Sequence, residues 1–303
     1  MPEASPLQRV RTAVWGPLST RVRGNQLLRR PAVAGYRAVA RTVLVSDPPK
    51  VLANSIPKAG THLLTQLLGG VDRLWFSGLH VIDRDFFATA IPDTEAYAPI
   101  DEATFRKRMR RVRNGQFLTA HLTAQPVTIR ALDELGFAPL LMIRDPRDIA
   151  VSLAFWYGTN PRLRTWEQFS AMGSDEERLM ATIVGLPGGG GHQPVASIGE
   201  RLRHYRGWLS EPGTCVVRFE QLVGSAGGGS DDEQFEAVRR VLRHCRREAG
   251  DARTSELARS VFARHSKTFR RGAIATWPEH FTDEHRAAFD EVAGSELEAY
   301  GYR

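Results

Sequence analysis

Apolar positions along the chain fall into two alternating patterns, short continuous runs and runs at helical spacing. Val51-Leu52-Ala53-Asn54 is a short apolar run and predicts a strand. Ser55-Ile56-Pro57-Lys58-Ala59-Gly60-Thr61-His62 follows as a tight loop, and Leu63, Leu64, Leu67 and Leu68 then recur at helical spacing. Residues 116–120 predict a second strand with His121 at its end. A helix over 126–135 starts with a proline in its first turn. The unbroken apolar run 138–143 reads as a strand buried on both faces, and 214–219 as another. Helical patterns cover 104–113, 149–156, 166–184, 198–209, 233–245 and 283–300, with glycine-rich breaks at 188–191 and 225–230. Strands alternating with helices predict an α/β fold, a P-loop-type central parallel sheet flanked by helices in one domain over 47–303. Residues 71–114 are mixed and rich in large apolar side chains: Trp75, Phe76, Phe86, Phe87 and Tyr97 are either core or the walls of an apolar pocket.

Charge refines this picture. The 303 residues carry a net charge of +7, which favours anionic partners without choosing among nucleotides, membrane surfaces and nucleic acid. Residues 1–46 form a basic arm, with eight arginines and one acid, Glu3, before residue 42. Its apolar residues are spaced for two short amphipathic helices, which either pack on the domain or make a peripheral membrane contact. The aromatic residues cluster at 75–97, away from the arginine runs, which argues against a stacking platform for nucleic acid. No apolar run reaches the length of a membrane span, and no continuous apolar leader opens the chain. The two cysteines, Cys215 and Cys245, lack metal-ligand spacing, so a reducing cytoplasmic location without structural zinc is expected.

Four stretches carry chemistry. The loop at 57–61 feeds a helix N-terminus, whose unpaired N–H groups and dipole favour a phosphate. Gly60 allows close backbone approach, Lys58 adds a cation and Thr61 a hydroxyl donor. The nucleoside-triphosphate loop places its Lys after a second Gly, and this one does not. Arg144 closes a buried strand and Ser152 lies about two helical turns on, so the two can hold a second phosphate at the carboxyl ends of the strands. Phe269-Arg270-Arg271-Gly272 is a cationic loop able to fold over a phosphate. His121, on a strand end, is placed as a general base. Its acid limb is expected near the ordinary imidazole value of about 6.5 unless the site shifts it.

These pieces resemble the cytosolic-type sulfotransferases that use 3′-phosphoadenosine 5′-phosphosulfate (PAPS). Pro57 to His62, Ala120-His121-Leu122, Arg144 to Ser152, Phe219-Glu220-Gln221 and Arg270-Arg271-Gly272 to Trp277 follow the order of that family's motifs, over roughly residues 50–282. The resemblance implies transfer of a sulfuryl group from PAPS to a hydroxyl of a small, hydrophobic alcohol, phenol or lipid. Lys58, Ala59, Gly60, Thr61 and His62 would hold the 5′-phosphosulfate. Arg144, Ser152, Arg270, Arg271 and Gly272 would hold the 3′-phosphate, and Phe219 would lie on the adenine side. Trp277 would brace the lid, His121 would act as base and Lys58 would stabilise the leaving phosphate. No metal is implied.

The chain departs from the family at several of these positions. Ala59 stands for a Ser, His62 for a Thr, Thr119 for a Lys, and Ala275-Thr276 for Gly-Asp. The family's C-terminal dimer motif has no clean counterpart. The alternative is a P-loop kinase acting on a small alcohol, which lacks here the Walker Lys and its adjacent magnesium-binding hydroxyl.

Overall fold

The structure is a computed structural model and describes residues 26–88, 97–262 and 273–303. Helix α1 (Gln26–Thr42) comes first and runs through Pro31; it covers the second of the two expected amphipathic helices, and the first falls outside the described residues. Tyr36 donates to the Phe76 carbonyl at 2.6 Å and Arg37 Nε to that of Gly78 at 3.0 Å. The buried Gln116 amide donates to the carbonyls of Ala40 and Leu44. Residues 1–25 of the basic arm lie outside the described residues.

β1 (Lys50–Ser55) forms where the sequence pattern places it, and every residue from Val51 to Ser55 is buried. α2 (Thr61–Gly70) follows, with Leu63, Leu64, Leu67 and Leu68 on its buried side. β2 (Trp75–Ile82) was hidden in the mixed region. Its inward residues are Ser77, Leu79 and Val81, and a register shift between Phe76 and His80 interrupts the pairing. The short α3 (Glu102–Met109) is capped by Asp101, which accepts from the Thr104 amide. β3 (Gln116–His121), α4 (Pro126–Glu134), β4 (Phe137–Ile143) and α5 (Pro146–Thr159) follow the predicted order.

The helical stretch 166–184 is two helices, α6 (Trp166–Ser170) and α7 (Asp175–Val184), because Ser174 caps a fresh start at Asp175, its hydroxyl accepting from the Glu177 amide. α8 (Ile198–Ser210) leads to β5 (Cys215–Arg218) and the one-turn α9 (Phe219–Leu222). α10 (Asp231–His244), the unanticipated α11 (Asp251–Val261) and α12 (Asp283–Ala299) complete the chain.

All strand pairs are parallel, in the order β2-β3-β1-β4-β5. Crossover helices therefore cover the sheet, and the strands read as nearly continuous apolar runs. One consequence governs function. Parallel pairing brings all carboxyl ends to one edge: Ser55 aligns with Met142, Ile82 with His121, and Ile143 with Arg218. β1 sits at the centre, so its loop lies between the β3–β2 side and the β4–β5 side. No described helix is long and apolar enough to cross a membrane.

Candidate active site

The loop after β1 is shaped by close packing. Gly60 has φ 109° and begins α2 without a side-chain cap. A Cβ there would lie 2.7 Å from Phe219 Cδ2 and 2.9 Å from Met142 Cε, so only glycine fits. The N-terminus of α2, the positive end of its dipole, lies at the cavity end of the loop, and the Leu63 amide donates to the Gly60 carbonyl at 2.9 Å. Lys58 adopts φ 71°, a left-handed conformation uncommon for a side-chain-bearing residue. Its ammonium stands 5.1 Å from the centroid of the Trp156 ring, which α5 supplies. Burial, and then the charge of Arg144, hold the Lys58 pKa below its ordinary value.

Polar residues at the end of β1 position His121. Asn54 is buried and bridges to β3, its amide donating to the Leu122 carbonyl and its oxygen accepting from the Leu122 amide, both at 2.8 Å. The next residue, Ser55, supplies the carbonyl that lies 2.8 Å from His121 Nδ1. A carbonyl only accepts, so Nδ1 carries the proton and Nε2 is the basic nitrogen. The Ser55 hydroxyl lies 2.6 Å from the Thr61 hydroxyl and 3.2 Å from His121 Nδ1, tying His121 to the loop after β1. The site does shift His121 from the ordinary imidazole value: burial pushes it down to about 4, and the Ser55 carbonyl only partly restores it. The position of the family's missing lysine is taken by Thr119, whose hydroxyl lies 3.0 Å from His80 Nδ1. His80 in turn stands edge-on to His121 at 5.2 Å.

On the other side of β1, Arg144 leaves the end of β4. Its guanidinium stacks 4.3 Å over the Phe219 ring, and its Nη2 donates to Asp148 Oδ2 at 3.3 Å and to the Ala273 carbonyl at 3.1 Å. Its Nε is buried with no partner among the described residues. The fully buried Asp148 carboxylate also gathers the returning chain. Its Oδ1 accepts from the Thr276 amide and hydroxyl, each at 3.0 Å, and from the Trp277 amide at 2.9 Å. The guanidiniums of Arg147 and Arg286 lie 4.2 Å and 5.0 Å from the Trp277 ring centroid.

A cavity of about 1050 Å³ opens at the carboxyl edge of the sheet. Of the site residues expected from the sequence, Lys58, Gly60, Thr61, His62, His121, Arg144, Ser152 and Phe219 reach it. Ala59 does not: its methyl is fully buried and its N–H donates to the Ile56 carbonyl at 3.0 Å, closing the turn. Arg270, Arg271 and Gly272 lie outside the described residues. The pocket expected from the aromatic region shrinks to Ile82, Phe87 and Tyr97. Phe76 instead packs on Phe117 at 5.3 Å and Phe86 on Phe105 at 5.0 Å.

Sequence reasoning missed Ser55, Asp83, Trp156 and Arg201. A polar pair ending an apolar strand signals Ser55 with Asn54, but the others reach the cavity only through tertiary packing. Asp83 accepts from the Thr123 amide at 3.0 and 3.2 Å, and burial pushes its carboxyl up to about 6.

The sheet order and its covering helices define a sulfotransferase fold. Mouse sulfotransferase SULT7A1, solved with PAP, is 16% identical, with a TM-score of 0.56 over 86% of this chain and 88% of that one. Retinol dehydratase, solved with androsterone and the inactive cofactor PAP, is 14% identical, with a TM-score of 0.53 over 88% of this chain and 87% of that one. No protein-family model and no curated protein sequence matches the chain.

Proposed function

We propose that this protein is a PAPS-dependent sulfotransferase that transfers a sulfuryl group to the hydroxyl of a small acceptor. The observation that carries the reading is that one cavity joins the β1 loop, a base with its basic nitrogen set by Ser55, and an arginine with an unpartnered buried Nε. The residues fit PAPS. The bare Gly60 leaves room for close approach to backbone amides, Lys58 and Thr61 flank it, and the orphaned Arg144 Nε suits the 3′-phosphate. Ser152 and Phe219 complete that half, and His62 stands on the loop. Arg270, Arg271 and Gly272 belong to the same proposal on sequence grounds alone.

When bound, PAPS supplies a sulfuryl group joined to a phosphate that departs with its bonding electrons. The protein's part is placement and charge, as in phosphoryl transfer. His121 Nε2 takes the acceptor's hydroxyl proton, and the Ser55 carbonyl steadies the imidazolium through Nδ1–H. Lys58, poorly hydrated beside Trp156, faces the charge that grows on the departing phosphate.

The sheet order divides the labour. The β4–β5 side holds the nucleotide, and the β3–β2 side, with His121, Ile82, Phe87 and Tyr97, receives the acceptor. The complex of retinol dehydratase with androsterone and PAP supports a small-molecule acceptor here. In this reading residues 47–303 are the catalytic domain of a cytoplasmic protein and residues 1–46 a basic arm. The bonds from Tyr36 and Arg37 to β2 support packing of the arm over a membrane contact.

Calorimetric titration tests the assignment. PAP is expected to bind and ATP to bind far more weakly. His121→Ala is expected to lower PAPS-dependent turnover by roughly 10²–10⁴-fold with PAP affinity unchanged. Tight ATP binding without PAP binding would turn the assignment to a kinase.

A further inference from the structure

The acceptor side of the cavity contains a cation that the proposed reaction does not use. Arg201, from the first turn of α8, lines the cavity with Tyr97, Tyr157 and Tyr205. It makes no ion pair among the described residues. Its Nη2 donates to the Tyr157 hydroxyl at 3.4 Å, a long bond, and its Nε is buried without a partner among the described residues. A guanidinium taken from water and left with a neutral phenol is an expensive arrangement unless an anion joins it. Arg201 also lies close enough to His121 to depress the proton affinity of the base.

The charge of the cavity wall points the same way. Lys58 and Arg144 serve the nucleotide in the proposed function, and Asp148 is paired with Arg144. The cations left are Arg84, Arg162, Arg164 and Arg201, against the single carboxylate of Asp83. The first three are exposed and solvated at the rim, whereas Arg201 carries its charge inside. Tyr97 stays a neutral donor through the physiological range, since burial pushes its phenol up to about 12. A fork of guanidinium donors with phenols around it is the chemistry that recognises a carboxylate.

We infer that the acceptor is an anionic hydroxy compound, a phenol or alcohol bearing a carboxylate, and that Arg201 binds the carboxylate while the hydroxyl lies at His121. This rests on the sulfotransferase reading for the role of the hydroxyl, but the binding of the carboxylate does not depend on it. Arg201 is then a specificity-determining residue: it anchors the end of the acceptor away from the reacting oxygen.

The test uses the full chain and two probes, 3-(4-hydroxyphenyl)propionate and its uncharged amide, titrated by calorimetry at about pH 8, where the carboxylate is ionised and the phenol is not. The wild type is expected to bind the carboxylate about tenfold or more tighter than the amide. Arg201→Gln should erase that preference while leaving the affinities for the amide and for PAP unchanged. Arg201→Lys should keep part of it. Equal binding of the two probes by the wild type, or no binding of the carboxylate, overturns the inference. So does an Arg201→Gln protein, melting like the wild type, that weakens for both probes alike, since Arg201 would then only brace Tyr157. The two readings fail separately. Carboxylate preference without PAP binding removes the sulfotransferase assignment alone, and PAP binding without carboxylate preference removes the Arg201 assignment alone.

Discussion

Lys58 and Gly60 stand two residues apart, both at positive φ, and they meet opposite constraints. Lys58, at φ 71°, keeps a side chain where glycine would be more comfortable, at a cost of about 1 kcal/mol. Gly60, at φ 109°, could not carry a side chain at all without displacing Phe219 or Met142. The first residue carries its side chain under strain, and the second is required by shape. Substitution should separate these roles. Lys58→Gly should leave unfolding free energy within about 1 kcal/mol of the wild type, because strain relief offsets the added chain entropy. Turnover should nonetheless fall steeply. Gly60→Ala should lose roughly 1–3 kcal/mol in denaturant unfolding and weaken PAP binding, because the Phe219 ring that must move is the one stacked on Arg144. A Lys58→Gly enzyme with full turnover would remove Lys58 from the chemistry.

At the scale of elements, the site is a meeting of strand ends with one returning segment, and Asp148 joins them. Its two oxygens divide the work, Oδ2 toward Arg144 and Oδ1 toward the Thr276 and Trp277 amides. Asp148→Ala should cost roughly 3–5 kcal/mol in unfolding experiments, since it strands a part-buried guanidinium and two amides together. Asp148→Asn keeps an accepting oxygen and should cost clearly less, while weakening the hold on Arg144. Equal losses from the two would show that charge alone matters there. The same elements show what was legible in the sequence. β1, β3, β4 and β5 were visible because buried parallel strands read as short apolar runs, and His121, Arg144 and the loop fell at their ends. β2 was not, because Gly78 and the shifted register at 76–80 break its alternation. α11 lies in a stretch rich in Arg, Ser and Ala, where the apolar spacing is thin. Asp83 and Arg201 meet His121 at the cavity only because β2 lies beside β3 and α8 packs across that end, and no spacing along the chain encodes such a meeting.

Over the whole molecule, the cavity couples activity and stability to pH through two groups shifted in opposite directions. His121 is pushed down to about 4 and Asp83 up to about 6, each chiefly by burial. An unfolded histidine takes a proton at about 6.5, and the folded one refuses it until about 4. The stability contributed by neutral His121 is therefore present above about 6.5 and is lost as pH falls toward about 4. Asp83 runs the other way. Folded, it keeps a proton up to about 6 that an unfolded aspartate releases at about 3.9, so its contribution is present at low pH and lost as pH rises through about 6. The two slopes oppose each other across the same window. Urea unfolding of variants against the wild type should reveal each one, because titrations shared by both proteins cancel in the difference. Asp83→Asn should lose more stability relative to the wild type near pH ~4 than near pH ~7, and His121→Gln more near pH ~7 than near pH ~4. Activity should follow His121 alone. The acid limb of kcat/KM, which reports the free enzyme, should fall near pH ~4. An acid limb at about 6.5, with a His121→Gln difference flat across the window, would mean that water reaches the imidazole freely. The protected base that the Ser55 carbonyl and the cavity wall define would then have to be given up.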